Sequence, residues 1–216
     1  MMLTRRMFLM SSLATVAAPH AATAAEPFHI PVYEEHKVEF KYRQQEVKFK
    51  TSEPPGTIVV DMRKRFLYFV KPGGKAIRYG IGVGRQGFSW SGAAVIKRKA
   101  KWPTWTPPAA MVARDEFAAR WANGMPGGPK NPLGARALYL YQGNVDTLYR
   151  IHGTFAPSSI GKAVSSGCIR MINADVADLY DRVPTGTRVV VLQGRSPLVA
   201  EDDTPRKRRQ LFSLFD

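Results

Sequence analysis

Thr57-Ile58-Val59-Val60-Asp61, Arg65-Phe66-Leu67-Tyr68-Phe69-Val70 and the run from Ala76 to Gly82 decide the fold. Each is too short for a stable helix and rich in β-branched and aromatic residues, which pack well on a pleated surface. A charged turn separates the first two, and Pro72-Gly73-Gly74 separates the second pair, so the spacing predicts consecutive antiparallel strands. Strand signals return at Ala137 to Gln142 and Thr147 to Gly153, joined by Gly143-Asn144, and again at Thr187 to Leu192. An edge strand is expected at Glu46 to Thr51.

Helical periodicity is confined to short stretches. Val176, Leu179, Tyr180 and Val183 recur at helical spacing after Asn173, which can cap the first turn, and Pro184 to Gly186 ends the pattern. A second short helix is expected around Asp115 to Trp121. The chain therefore reads as a mainly β domain with one or two short helices. Between Gly84 and Pro132 the sequence is rich in Gly, Pro and Trp and reads as one long loop, of the kind that is usually functional. Its tryptophans either pack the loop onto the sheet or wall a substrate groove.

The 216 residues suffice for one domain with tails, and Lys and Arg outnumber Asp and Glu by 32 to 17, giving a formal charge of +15. Such a charge implies a polyanionic neighbourhood, which could be nucleic acid, an anionic membrane surface or a cell wall. The first 25 residues choose among these: Arg5-Arg6 precede an apolar run ending at Ala18, and Ala22-Thr23-Ala24 offers small residues for cleavage. Residues 1–25 thus read as a secretory signal, and the paired arginines followed by Phe8-Leu9 resemble the twin-arginine type. Beyond it are expected an N-terminal extension at 26–54, a catalytic domain at 55–194 and a basic, disordered tail at 195–216. A periplasmic location follows, with nucleic acid excluded as a partner and membrane contact limited to the signal or the tail. No phosphate-binding loop or metal cluster is apparent, and no cofactor is expected.

Exported proteins commonly carry paired cysteines, yet this chain has a single one, Cys168. An unpaired thiol in an oxidising compartment must be buried or used. A free thiol is only partly ionised at neutral pH, so a nucleophilic cysteine needs an imidazole or another positive field beside it. His152 is the sole histidine of the expected domain, the others being His20, His29 and His36. Gly167 removes a side chain where a substrate carbonyl would approach and leaves main-chain N–H groups for an oxyanion, or it serves a tight turn. Arg170 can favour the thiolate, hold a substrate carboxylate or tie the loop to the fold.

At Ile151-His152-Gly153-Thr154 and Ser165-Ser166-Gly167-Cys168-Ile169-Arg170-Met171 the chain resembles the L,D-transpeptidase family with its YkuD-type domain. The likeness runs from about Pro55 to Leu192 and takes in Gly82-Val83-Gly84-Arg85, Trp105-Thr106-Pro107-Pro108 and Asn131 to Arg136. It implies the β-sandwich or barrel-like fold of that family, with Cys168 as nucleophile, His152 as base and acid, and the Gly153 carbonyl orienting the imidazole. Ser165, Ser166, Gly167 and Arg170 are the implied oxyanion and substrate residues. Ser166 stands where many relatives have His.

The implied reaction takes a peptidoglycan tetrapeptide stem, cleaves its meso-diaminopimelate–D-Ala bond through a thioester on Cys168, and passes the acyl group to an amine. The acceptor is another stem, an outer-membrane protein or a lipoprotein. Two alternatives stand beside it: a carboxypeptidase using the same pair with water, and a basic peptidoglycan-binding protein without chemistry, in which Cys168 is a buried small hydrophobe.

Overall fold

In a computed structural model of the chain, the residues described are 25–30, 38–85, 90–165, 167–192 and 199–201. The expected signal, apart from Ala25, lies outside them, as do Ser166 and most of the basic tail. Among the described residues, no helix is long and apolar enough to cross a membrane.

The expected meander forms. Strands β1 (Gln45–Thr51), β2 (Ile58–Asp61), β3 (Phe66–Lys71) and β4 (Lys75–Gly80) lie in one sheet, β2–β3 and β3–β4 pairing antiparallel without a register break. After the two-residue β5 (Val83–Gly84) come β6 (Gly92–Lys101), the helices α1 (Ala109–Val112) and α2 (Glu116–Arg120), and the strands β7 (Arg136–Gln142) and β8 (Val145–His152). The chain continues through β9 (Ala163–Ser165), β10 (Ile169–Arg170), α3 (Asn173–Arg182), β11 (Arg188–Leu192) and β12 (Val199–Glu201). The large sheet has the order β10-β8-β7-β6-β11-β2-β3-β4-β1-β12, and β5 pairs with β9 apart from it.

One face of this sheet carries Ile58, Val60, Leu67, Leu138, Leu140, Ile151, Ile169 and Met171, which join Val176, Leu179 and Val183 of α3 in the main core. Val176, Leu179 and, at the helix C-cap, Val183 are three of the four positions read as helical from spacing, and Tyr180 packs against this core partly buried. A smaller cluster, Phe49, Val59, Tyr68, Val70 and Ala76, packs around β1, with Phe49 stacked on Tyr68 at 4.3 Å.

Several details depart from the sequence reading. The segment taken as one loop from Gly84 to Pro132 contains β6, ten residues long, and the unexpected α1. Charge hid β6: after Ala94 and Ile96 it runs Lys97-Arg98-Lys99, and the pairing with β7 skips Lys97, breaking the alternation that marks a strand. The mainly β fold with few short helices is as expected, and among the described residues α1 adds one short helix to the two that were read. Asn173 does not cap α3; the N-cap is Ile172, and the Asn173 side chain instead accepts a hydrogen bond from the Ala135 N–H at 3.0 Å. Strand β1 is not at the sheet's edge, because β12, within the expected tail, pairs outside it. Trp102 and Trp105 are buried, Trp102 edge-on to Phe28 and Trp105 stacked on Phe117, so these two pack the loop.

Candidate active site

The C-terminal end of β8 carries His152, and the short β10 runs parallel beside it, Ile169 opposite Ile151 and Arg170 opposite His152. Ile151 and Ile169 point into the core, so the alternating residues of both strands point to the other face. Cys168, one residue before β10, continues that line: its Sγ lies 3.9 Å from the Leu148 carbonyl of β8. The structure thus brings Cys168, His152 and Arg170 onto one face at the sheet's edge. The Arg170 N–H and carbonyl bond Gly82, and β5 pairs with β9, so the segments on either side of Cys168 are both tied to the Gly82–Gly84 stretch.

His152 is buried, and its Nδ1 lies 2.6 Å from the Gly153 carbonyl. A carbonyl can only accept, so Nδ1 carries the proton and Nε2 is left as a proton acceptor. Burial, with the charges of Arg170 and Arg150, pulls the His152 pKa down to about 4 against the partial opposition of that carbonyl. The imidazole is therefore neutral at neutral pH. Gly153 itself must be glycine here, because a Cβ would run into the Asn173 side chain that staples this loop to α3.

Cys168 is half-buried. Burial raises its thiol pKa, while a hydrogen bond from the Arg150 main chain and the charges of Arg150 and Arg170 act against the rise. Gly167 has φ of 124°, a backbone region that side chains disfavour, so the residue type before the thiol is dictated by the turn. Ser165 places its main chain in β9, and Ser166 is outside the described residues. Arg170 has its own pKa lowered by burial, with the thiol favouring and Arg85 opposing its charge. Arg150 was missed in the sequence; its signal was there, two residues before His152 and therefore on the same face of a strand.

A second polar centre lies across the sheet. Glu26 accepts hydrogen bonds from Trp102 Nε1 at 2.9 Å and Lys101 Nζ at 3.1 Å and pairs with the buried Arg136. Burial alone would raise its carboxyl, but these donors hold it down at about 2. Among the described residues, no group of three or more His, Cys, Asp or Glu side chains could hold a metal ion.

Fold and site together define a mainly β protein presenting a thiol and an oriented, neutral imidazole on neighbouring strands, the pair on which cysteine acyl transfer relies in several folds. Residues 55–191 match the model of the YkuD family, the L,D-transpeptidase catalytic domain. The chain is 37% identical over 154 residues to the probable L,D-transpeptidase ErfK/SrfK of Escherichia coli, covering 68% of this chain and 47% of that one. It is 36% identical to the probable L,D-transpeptidase YbiS of the same organism, over 70% of this chain and 49% of that protein. Among solved structures, a Brucella melitensis chain described as a probable carnitine operon oxidoreductase is 54% identical, with a TM-score of 0.50, covering 74% of this chain and 99% of that one.

The chain belongs to the YkuD-type L,D-transpeptidase catalytic-domain family. It spans about half the length of the curated relatives it matches.

Proposed function

We propose that this protein is a periplasmic L,D-transpeptidase acting on peptidoglycan stem peptides. Cys168 Sγ attacks the carbonyl carbon between the L-centre of meso-diaminopimelate and D-Ala, while His152 Nε2 takes the thiol proton. The tetrahedral oxyanion is met by main-chain N–H groups of the Gly167–Cys168 turn. Its collapse breaks the C–N bond, the imidazolium returns its proton to the departing D-Ala amine, and a thioester remains on Cys168. An acceptor amine then loses a proton to His152 and attacks the thioester, forming a new amide and restoring the thiol. The acceptor is the amine of a second stem, with an outer-membrane protein or lipoprotein as the other candidate. The twin-arginine signal delivers the enzyme already folded.

The observation that carries this reading is the pairing of β10 with β8. It sets Cys168 and His152 on one face while the Gly153 carbonyl fixes the imidazole with Nε2 as acceptor. The positive charge of the site suits a substrate that bears free carboxylates. The test is release of D-Ala from a purified tetrapeptide stem, with mass spectrometry of the protein. A thioester adduct on Cys168 and a cross-linked product support transpeptidation, and D-Ala release without amide transfer replaces it with carboxypeptidase activity. A protein that binds wall fragments but forms no adduct with stem or carbapenem is a binding module.

A further inference from the structure

The register of four strands arranges the site as two rows. One runs Ala100, Ala137, His152, Arg170 across β6, β7, β8 and β10. The row beside it runs Arg98, Tyr139, Arg150 and then Cys168, whose sulfur lies against β8. In this second row the Tyr139 ring, buried, has the Arg98 guanidinium 3.5 Å and the Arg150 guanidinium 4.6 Å from its centre. Arg150 is also gripped end-on by Asp146, Nη1 to Oδ1 at 2.7 Å and Nη2 to Oδ2 at 2.9 Å.

The main chain of β8 is distorted where this grip is made. Tyr139 pairs with Arg150 but Tyr141 with Asp146, so Thr147, Leu148 and Tyr149 stand opposite Leu140 alone. Leu148 takes a positive φ of 62°, and the bulge is tied down by Thr147 Oγ1 to the Leu140 carbonyl at 2.7 Å and by the Leu148 N–H to Asp146 Oδ1 at 2.9 Å. Bulges of this kind re-aim groups beside functional sites. Here the Cys168 thiol points its proton at the Leu148 carbonyl, and the Arg150 main chain donates to the sulfur.

We propose that Arg150 is a positioning residue of this centre: clamped by Asp146 and the Tyr139 ring, it keeps a permanent positive charge and a main-chain donor against Cys168 and stabilises negative charge on the sulfur, a task the neutral imidazole does not perform. The charges that act on the sulfur are those of Arg150 on β8 and Arg170 on β10, and Tyr149 of β8 interacts electrostatically with it. Behind them Asp146 is bound to Arg150, Arg98 stands on the far side of the Tyr139 ring, and Arg85 acts on Arg170. The division of labour follows: arginine supports the thiolate, and His152 stays free to move protons. This inference rests on Cys168 being the nucleophile of the proposed reaction.

The test is the pH dependence of Cys168 alkylation by iodoacetamide in the full chain, with folding followed by thermal melting. In Arg150→Gln the midpoint rises by about one pH unit, roughly a tenfold loss of thiolate at neutral pH, and Arg150→Lys recovers at least half of that shift. Gln and Lys variants with the same midpoint as the native chain overturn the proposal. Should Arg150→Gln fail to fold, His152→Ala decides: its midpoint stays or falls, because the imidazole carries no charge to lose, and a rise of a unit or more overturns the proposal. D-Ala release is measured in parallel. A native chain that shifts as expected on Arg150 substitution but never releases D-Ala upholds the inference and defeats the transpeptidase reading.

Discussion

The two halves of the large sheet are built by different rules. From β2 to β4 every paired residue faces one partner, and apolar side chains line both faces without a break. From β6 to β10 the ladder slips twice, once at Lys97 and once at Thr147 to Tyr149, and ends in a parallel strand of two residues. The regular half excludes water and supplies cohesion. The irregular half gives up ladder hydrogen bonds where its neighbouring segments bring a thiol, an imidazole and two guanidinium groups to one face.

Substitutions should separate these halves. The largest effect on chemistry is expected from Cys168→Ala or His152→Ala, each taking D-Ala release below detection while the melting temperature moves by no more than about 2 °C. A variant that keeps near-normal release removes the site from the irregular half. In the regular half, Leu67→Ala should cost about 2–5 kcal/mol in denaturant unfolding, because Leu67 is fully buried, and leave the alkylation profile of the folded protein unchanged.

Next comes Asp175, buried in the first turn of α3, with Oδ2 lacking a hydrogen-bond partner and a pKa pushed up to about 7 by burial and by Asp178. Its folded pKa lies above its unfolded one, so the contribution it makes is intact below pH 4 and is lost as pH rises through 7. Asp175→Asn should therefore gain stability over the native chain across that range, by ~4 kcal/mol at most above pH 7. His152 works the other way. Its folded pKa of about 4 lies below its unfolded value, so the stability it confers is complete above about pH 6.5 and declines as pH falls toward 4. Unfolding curves from pH 4 to 8 test both signs.

The smallest effect is expected at the bulge. Leu148 is exposed and left-handed, so Leu148→Gly relieves strain while losing little packing, and stability should stay within about 0.5 kcal/mol. A loss well beyond that would show that the Leu148 side chain, rather than its backbone, shapes the site.

The same contrast explains what could be read from residues alone. The meander was legible because its short β-branched and aromatic runs and its Pro-Gly-Gly turn are local signals. Cys168 and His152 could be singled out because each is the sole residue of its kind in the expected domain, and the pairing of β10 with β8 puts the segments that carry them side by side. Strand β6 was hidden because a skipped residue and three consecutive basic side chains erase a two-residue period. The Asn173 assignment failed because a cap and a long-range staple need the same side chain, and the local sequence does not register Ala135. Arg150 escaped notice because its importance depends on which residue of another strand comes to lie beside it.

The anchoring of Glu26 has a practical consequence. The evolutionary unit begins at residue 55, yet Glu26 neutralises the buried Arg136 and β1 covers one flank of the sheet, both from outside that unit. A fragment trimmed to the family's limits would strand a guanidinium in a dry place and uncover Tyr68 and Val59. The physical module is longer at its front than the inherited one, and the shortest piece worth expressing starts before Glu26.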